Sequence, residues 1–277
     1  MLPAGSAEPG RRPPAAARGR LIPHTRALAL DFDGVICDSA REAFQLALQS
    51  ARECLGPPAQ RAFPKGAEQN TALWERFVEL LPLGNRADDY GVCLLAIATN
   101  TALPGQDDYD HFRAGLDPAA LRAFRKRLYQ LRARWERQDP SGWRALLPAY
   151  PGICELLRRR AGEVHLAIAT AKDRRAVRQL LETYGIGDLF PKGCVLDKES
   201  GPSKRAHIAQ IAERLACPPA QITFVDDKVS HLLDVSGLGA RCLLAAWGYN
   251  GPRESRIAQA AGFPVCQLRD FEAQAFP

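Results

Sequence analysis

The chain contains no apolar run of about 18 residues, so no stretch of it reads as a membrane span. Its eight cysteines stand singly, with no Cys-x-x-Cys pair and no histidines at metal spacing. That argues against a zinc module and against a small disulfide scaffold. Isolated thiols in a chain of 277 residues read instead as buried side chains of a reducing compartment, and a cytoplasmic location is expected. No Gly-x-x-x-x-Gly-Lys-Ser/Thr loop occurs, which excludes a P-loop enzyme. The first 20 or so residues hold no apolar core of a secretory signal. Lysine is scarce, seven against 30 arginines, a usage that reads as codon-composition bias.

A chain this long can bury a real core without staples, and its 46% hydrophobic and 25% charged residues are those of an ordinary globular protein. The net charge is +6, but it is unevenly placed. Arg11, Arg12, Arg18, Arg20 and Arg26 face only Glu8 within residues 1–26, and the rest of the chain carries just +2. No nucleic-acid partner is expected from so small an excess. Residues 1–25, rich in Pro, Ala, Gly and Arg, cannot bury enough surface to offset ordering entropy and are expected as a disordered basic tail.

Order is expected from Ala27. Ala27-Leu28-Ala29-Leu30 reads as a buried parallel strand breaking into a turn at Asp31-Phe32-Asp33-Gly34-Val35. Further strands are expected at Val164–Ala169, Cys194–Leu196, Ile222–Val225 and Arg241–Ala245, with helices near 173–184, 203–215 and 229–236. This alternation implies a doubly wound α/β sheet. Residues 40–150 offer helices and no good strand; the clearest begins at Asp117-Pro118 and repeats Leu121, Phe124, Leu128, Leu131 and Trp135 at spacings of three and four. The expected organisation is therefore a Rossmann-like core of 26–40 and 148–277, with a helical cap of 41–147 inserted between them.

In open parallel sheets, ligands bind at the carboxyl ends of the strands. Those ends carry Asp31 and Asp33, then Thr170-Ala171-Lys172, then Gly201-Pro202-Ser203-Lys204 opening a helix, then Asp226-Asp227. Asp31 and Asp33, two apart in an extended segment, are expected to point the same way. Converging like charges need a neutralising cation. With Asp226 and Asp227 added, the site is oxygen-rich and suits Mg²⁺. Lys204 and Thr170 would offer a charge and a donor to an anionic substrate. Together these groups suit phosphoryl transfer through an aspartyl-phosphate.

The run Leu30-Asp31-Phe32-Asp33-Gly34-Val35-Ile36-Cys37-Asp38-Ser39 resembles the first motif of the haloacid dehalogenase (HAD) superfamily, in its phosphatase and phosphomutase branch. The threonine, lysine and double-aspartate motifs follow in the family's order. Tyr150-Pro151-Gly152-Ile153 and Trp247-Gly248-Tyr249 resemble phosphoglycolate-phosphatase-type members, so the resemblance spans residues 27 to about 250. It implies a Mg²⁺-dependent phosphatase acting on a small phosphorylated metabolite. Asp31 would be the nucleophile and a metal ligand. Asp33 would serve as general acid and base, its carbonyl also on the metal. Thr170, Ala171 and Lys204, with backbone N–H groups near Phe32 to Gly34, would hold the phosphoryl oxygens. Asp227 would be the main acidic metal ligand of the fourth motif, with Asp226 orienting Lys204 or the metal's waters.

Two departures from the family pattern stand out. Ala171 replaces the usual Asn or Ser, and His231 stands four residues after Asp227, where many relatives have a second Asp. Lys192 and Lys198 compete with Lys204 for the third motif; Lys204 is preferred because Ser203 could cap its helix. A phosphomutase and a noncatalytic binding or regulatory protein on the same scaffold are the alternatives. Phosphonate cleavage is disfavoured, because the cap holds only Lys65 and Lys126. Lys172 reads as a surface charge at a helix start. Arg122, Arg125, Lys126 and Arg132 read as a solvated face, the sharper alternative being that one arginine meets a second anionic group of the substrate. His207 and His231 show no partners, and Trp247 and Tyr249 read as packing.

Overall fold

Strand β1 (Ala27–Leu30) is apolar on both faces, and the structure buries all four of its residues at the middle of the sheet. The computed structural model describes residues 25–84 and 86–276, so the expected basic tail lies, Thr25 apart, outside the described residues. β1 pairs in parallel with β2 (His165–Ala169) on one side and β4 (Ile222–Asp226) on the other. Beyond these lie β3 (Val195–Leu196), β5 (Arg241–Ala245) and a two-residue β6 (Val265–Cys266). The order is β3-β2-β1-β4-β5-β6, all parallel, so the chain reverses its direction of winding between β1 and β4. That is where a doubly wound sheet opens a crevice at its carboxyl edge. β6 escapes the periodicity argument because two residues cannot show a period.

Alternation along the strands assigns their faces. Leu28, Leu30, Leu166 and Ile168 pack with Val177, Leu180 and Leu181 of α9 (Arg174–Thr183). The opposite face is lined by Ala27, Ala29, Ala167 and Ala169, and there α10 (Lys204–Arg214) and α11 (Val229–Ser236) pack through Ile208, Ile211 and Leu232. The remaining helices of this half are α8 (Ile153–Arg159), α12 (Pro252–Ala260) and α13 (Phe271–Ala275).

Between β1 and α8 the described residues are helical, as expected: α1 (Ala40–Cys54), α2 (Gly56–Ala62), α3 (Thr71–Leu80), α4 (Ala87–Ala98), α5 (Gln106–Ala114), α6 (Pro118–Gln138) and α7 (Pro140–Ala145). Asp117 caps α6 by accepting from Ala119 N at 2.8 Å, with Pro118 in the first turn. This insertion has an apolar core of its own around Phe44, Phe77, Leu94 and Phe124, and Tyr249, from beyond β5, packs into it. All eight cysteines are unpaired thiols, six of them buried. Among the described residues, no helix is long and apolar enough to cross a membrane.

One buried cation fastens the insertion to the sheet. Lys228, at the start of α11, sends its ammonium to the carbonyls of Leu81 (2.5 Å), just past the end of α3, and Tyr249 (3.3 Å). The carbonyl end of a helix is the negative end of its dipole, which suits an ammonium placed there. Replacing Lys228 with Met keeps the bulk and strands two buried carbonyls, a local cost of about 1–3 kcal/mol each. Hydrogen exchange should therefore quicken at least about tenfold at the last amides of α3 while the strand amides keep their protection.

Candidate active site

The reversal of winding puts the ends of β1 and β4 side by side, and four carboxylates gather there. Asp31 directly follows β1. Its Oδ1 accepts from the Phe32 N–H at 2.6 Å, and its Oδ2 lies 2.7 Å from the Lys204 ammonium. That ammonium also meets Asp226 at 3.1 Å and the Ala169 carbonyl at 2.6 Å. Lys204 reaches this point because Ser203 caps α10, accepting from Ala206 N at 3.2 Å. Lys192 and Lys198 are both exposed.

The chain does not stay extended beyond Asp31. The Phe32 carbonyl accepts from both Ile36 and Cys37 at 2.9 Å, and Gly34 takes a φ of +81°. Within this turn Asp31 and Asp33 are met by different lysines, which corrects the simple extended picture. Lys172 lies 3.0 Å from Asp33 Oδ1 and is buried, so it is no surface charge. Thr170 arranges this: its hydroxyl accepts the Lys172 N–H at 3.1 Å, turning the backbone so that the ammonium folds back toward β1. The N–H groups of Phe32 and Gly34 are engaged within the turn, by Asp31 and by the Cys37 carbonyl, rather than left facing a ligand. Ala171 is exposed.

Asp226 and Asp227 are adjacent, and both are fully buried. Asp226 accepts from Lys204, from the Lys228 N–H (2.8 Å) and from His231 Nδ1 (3.0 Å). The expectation that His231 lacks a partner is thus corrected. The first turn of α11 carries it back to the strand end. Burial opposes the Asp226 charge, but His231 and Lys204 outweigh it and hold the carboxyl well below the usual range.

Asp227 is different. Its Oδ2 accepts from Tyr249 N at 2.8 Å, while its buried Oδ1 has no hydrogen-bond partner among the described residues. It packs so closely on two glycines that a Cβ at Gly34 would lie 2.5 Å from its Oδ2, and one at Gly248 only 2.4 Å from its Cβ. Burial, reinforced by Asp226 and Asp31 against the pull of Lys228, pushes Asp227 up to about 7. Burial likewise pushes Asp31 up to about 6, with Lys204 opposing.

An unpartnered buried carboxylate oxygen beside a second acid is a hard-oxygen donor set that fits a divalent cation such as Mg²⁺. Asp31, Asp226 and His231 also offer donor atoms within 4.8 Å of one another. That corner already holds the Lys204 ammonium, so the Asp31–Asp227 side is where uncompensated charge remains. A second buried pair closes the neighbourhood. Arg132 of α6 holds Glu42 of α1 in a two-point pair at 2.5 and 2.7 Å, with Trp143 Nε1 adding a bond at 3.2 Å. Arg132 is therefore not part of a solvated face. Trp247 packs edge-on to Phe271 and donates to the Val35 carbonyl at 3.0 Å, in line with its expected packing role.

The model of the haloacid dehalogenase-like hydrolase family matches residues 25–233, and the chain belongs to that family. Among curated proteins, it is similar to phosphoglycolate phosphatases. One, from Pseudomonas fluorescens, is 30% identical over 113 residues, which is 39% of this chain and 40% of the relative. Another, from Synechococcus elongatus, is 26% identical over 113 residues, 40% of this chain and 52% of the relative. The match thus spans about half or less of these relatives' length. The fold is similar to that of a crystal structure from Haemophilus somnus described as a predicted phosphoglycolate phosphatase, with a TM-score of 0.62 at 18% identity, covering 90% of this chain and 97% of that one. A predicted phosphatase from Clostridium acetobutylicum gives a TM-score of 0.60 at 12% identity, covering 91% and 98%. The core is the doubly wound HAD-type sheet with an inserted helical cap.

The raised carboxyls carry a pH signature. Asp31 and Asp227 titrate near 3.8 when unfolded and at about 6 and about 7 when folded, so the folded chain binds more protons between these values. Their contribution to stability therefore falls as pH rises through that window, and a divalent cation bound between them would relieve the charge above it. Thermal unfolding in chelator and in Mg²⁺ should show a larger increment from the ion at pH 8 than at pH 5. Asp227→Asn should raise the midpoint in chelator at pH 8, by about 3 °C for each kcal/mol relieved, and abolish the ion's increment.

Proposed function

We propose that this chain is a Mg²⁺-dependent phosphatase of small phosphomonoesters, working through a phosphorylated Asp31. The observation that carries this reading is the Asp31 carboxylate, fixed by the Phe32 N–H and the Lys204 ammonium at the crevice, with Asp33 two residues on and the unpartnered Asp227 oxygen behind it. Asp31, Asp227 and the Asp33 carbonyl would hold the cation, which when bound supplies Lewis-acid stabilisation of charge on the phosphoryl oxygens.

In the first half-reaction an Asp31 oxygen attacks phosphorus, the bond from phosphorus to the leaving oxygen breaks, and Asp33 gives that oxygen its proton. In the second, Asp33 takes a proton from water as the water oxygen attacks phosphorus. The bond to Asp31 then breaks, freeing inorganic phosphate and restoring the Asp31 carboxylate, with Asp33 again protonated for the next leaving group. Lys204 neutralises charge next to the nucleophile, and Asp226, itself held by His231, orients Lys204. Thr170 holds the turn that delivers Lys172 to Asp33. Residues 41–147 act as the cap that screens the site from bulk water during phosphorylation. The name shared by the curated relatives makes phosphoglycolate the first ester to try.

The test is phosphate release from a panel of monoesters, with Mg²⁺ and with chelator. Metal-dependent release is expected, abolished in Asp31→Asn and slowed about 10²–10⁴-fold in Asp33→Asn. Release from no ester, or release indifferent to Asp31→Asn, would overturn the reading.

A further inference from the structure

One face of α6 meets the sheet half of the molecule near Lys172 and Asp33. Tyr129, Arg132 and Glu136 follow at spacings of three and four, hence on one side of the helix. Each of the three meets a charged group. Glu136 pairs with Arg175 at the start of α9 (3.4 Å), and Arg132 is held by Glu42. The Lys198 ammonium, from the loop after β3, lies 5.2 Å from the centre of the Tyr129 ring, and the Arg132 guanidinium lies 5.6 Å from it. Tyr129 is 40% exposed. An exposed aromatic thus lies within reach of two cations, one from the insertion and one from the sheet.

We infer that Arg132, Tyr129 and Lys198 seat the leaving group of the substrate, and that this leaving group carries an anionic group of its own. The inference rests on the phosphatase reading and deepens it. The first support is charge. Four cations face this space, Lys172, Arg132, Arg175 and Lys198, against three acids, Asp33, Glu42 and Glu136. Lys172 is engaged by Asp33, and Lys198 has no carboxylate within 4.0 Å among the described residues. Arg132 binds Glu42 through Nε and Nη2, which leaves Nη1 outside the pair.

The second support is position. The charge of Arg132 acts on both Lys172 and Asp33, so the guanidinium stands on the side of the group that protonates the leaving oxygen, away from the phosphoryl side held by Lys204. The third is chemistry. A neutral polyol needs mixed donors and acceptors, whereas this face offers cations, which attract an anion, gathered around a ring whose face holds them. Bound there, a carboxylate or second phosphate would take the Lys198 ammonium from the ring face and share the free side of the guanidinium.

The experiment compares kcat/KM for phosphoglycolate, ethane-1,2-diyl bisphosphate and monoethyl phosphate, esters alike near the scissile bond and differing in the far group. Wild type is expected to favour at least one of the two anionic esters over monoethyl phosphate by about 100-fold, and whichever wins identifies the anion. Lys198→Gln, at an exposed site, should cut that preference about tenfold, mainly through KM. Arg132→Gln is made together with Glu42→Gln, so that no buried charge is stranded, and should cut it further. Equal kcat/KM for all three esters in wild type, or a preference unchanged in both variants, would overturn the inference. Release from none of them defeats the phosphatase reading instead. Calorimetric titration of Asp31→Asn with 3-phosphonopropionate and propylphosphonate then decides the inference by itself. Binding at least tenfold tighter for the carboxylate sustains it, and equal or absent binding ends it.

Discussion

The Lys204 ammonium, wedged between Asp31 and Asp226 at the carboxyl edge of the two central strands, is the contact on which the rest of the site depends. Buried like charges this close are tolerable only when cations are built in among them. His231 and Lys204 satisfy Asp226, and Lys204 and the Phe32 N–H satisfy Asp31. Lys228 lies near Asp227, but the hydrogen bonds of its ammonium go to carbonyls. One oxygen of Asp227 is left without a partner among the described residues, which suits the cation proposed for this site. The protein thus meets most of the electrostatic demand with its own side chains and leaves one carboxylate oxygen that a proton or a cation could satisfy.

Much of this was legible in the sequence, because strand burial and helix capping are local. The run Ala27–Leu30 could be read as a buried strand from four residues, and Arg241–Ala245 and Val229–Ser236 fell where their patterns placed them. Lys204 was favoured over Lys192 and Lys198 from a capping argument, and the structure puts its ammonium against Asp31. The groups that escaped are those whose meaning lies in a partner far along the chain. Lys172 looks like any charge at a helix start until the turn at Thr170 brings it to Asp33, 139 positions away. Arg132 sits among other basic residues of α6, and only the packing of α1 against α6 shows that it alone faces Glu42. His231 required the knowledge that α11 begins close enough to β4 for its first turn to double back.

The insertion is fastened at several points of different character. Lys228 joins it to the sheet beside Asp227, and Tyr249 is embedded in its apolar core. The same tyrosine supplies its N–H to Asp227 and its hydroxyl to Asp38 and the Ser39 N–H, where the chain leaves the sheet for α1. On the far side the contacts are looser: an aromatic ring near Lys198 and a 3.4 Å ion pair between partly buried Glu136 and exposed Arg175. The tight side lies by the acids, and the loose side lies where a substrate would pass.

The central place of β1 has a consequence for how the molecule is made. Its four residues leave the ribosome before their hydrogen-bonding neighbours, which begin at His165 and Ile222, and the groups that fasten the insertion, Lys228 and Tyr249, come later still. The helices of the insertion can pack on one another as they appear, whereas the strand that begins the sheet must wait for most of the chain. During synthesis the apolar strand therefore stays unpaired, open to wrong partners, until β2 and then β4 have emerged.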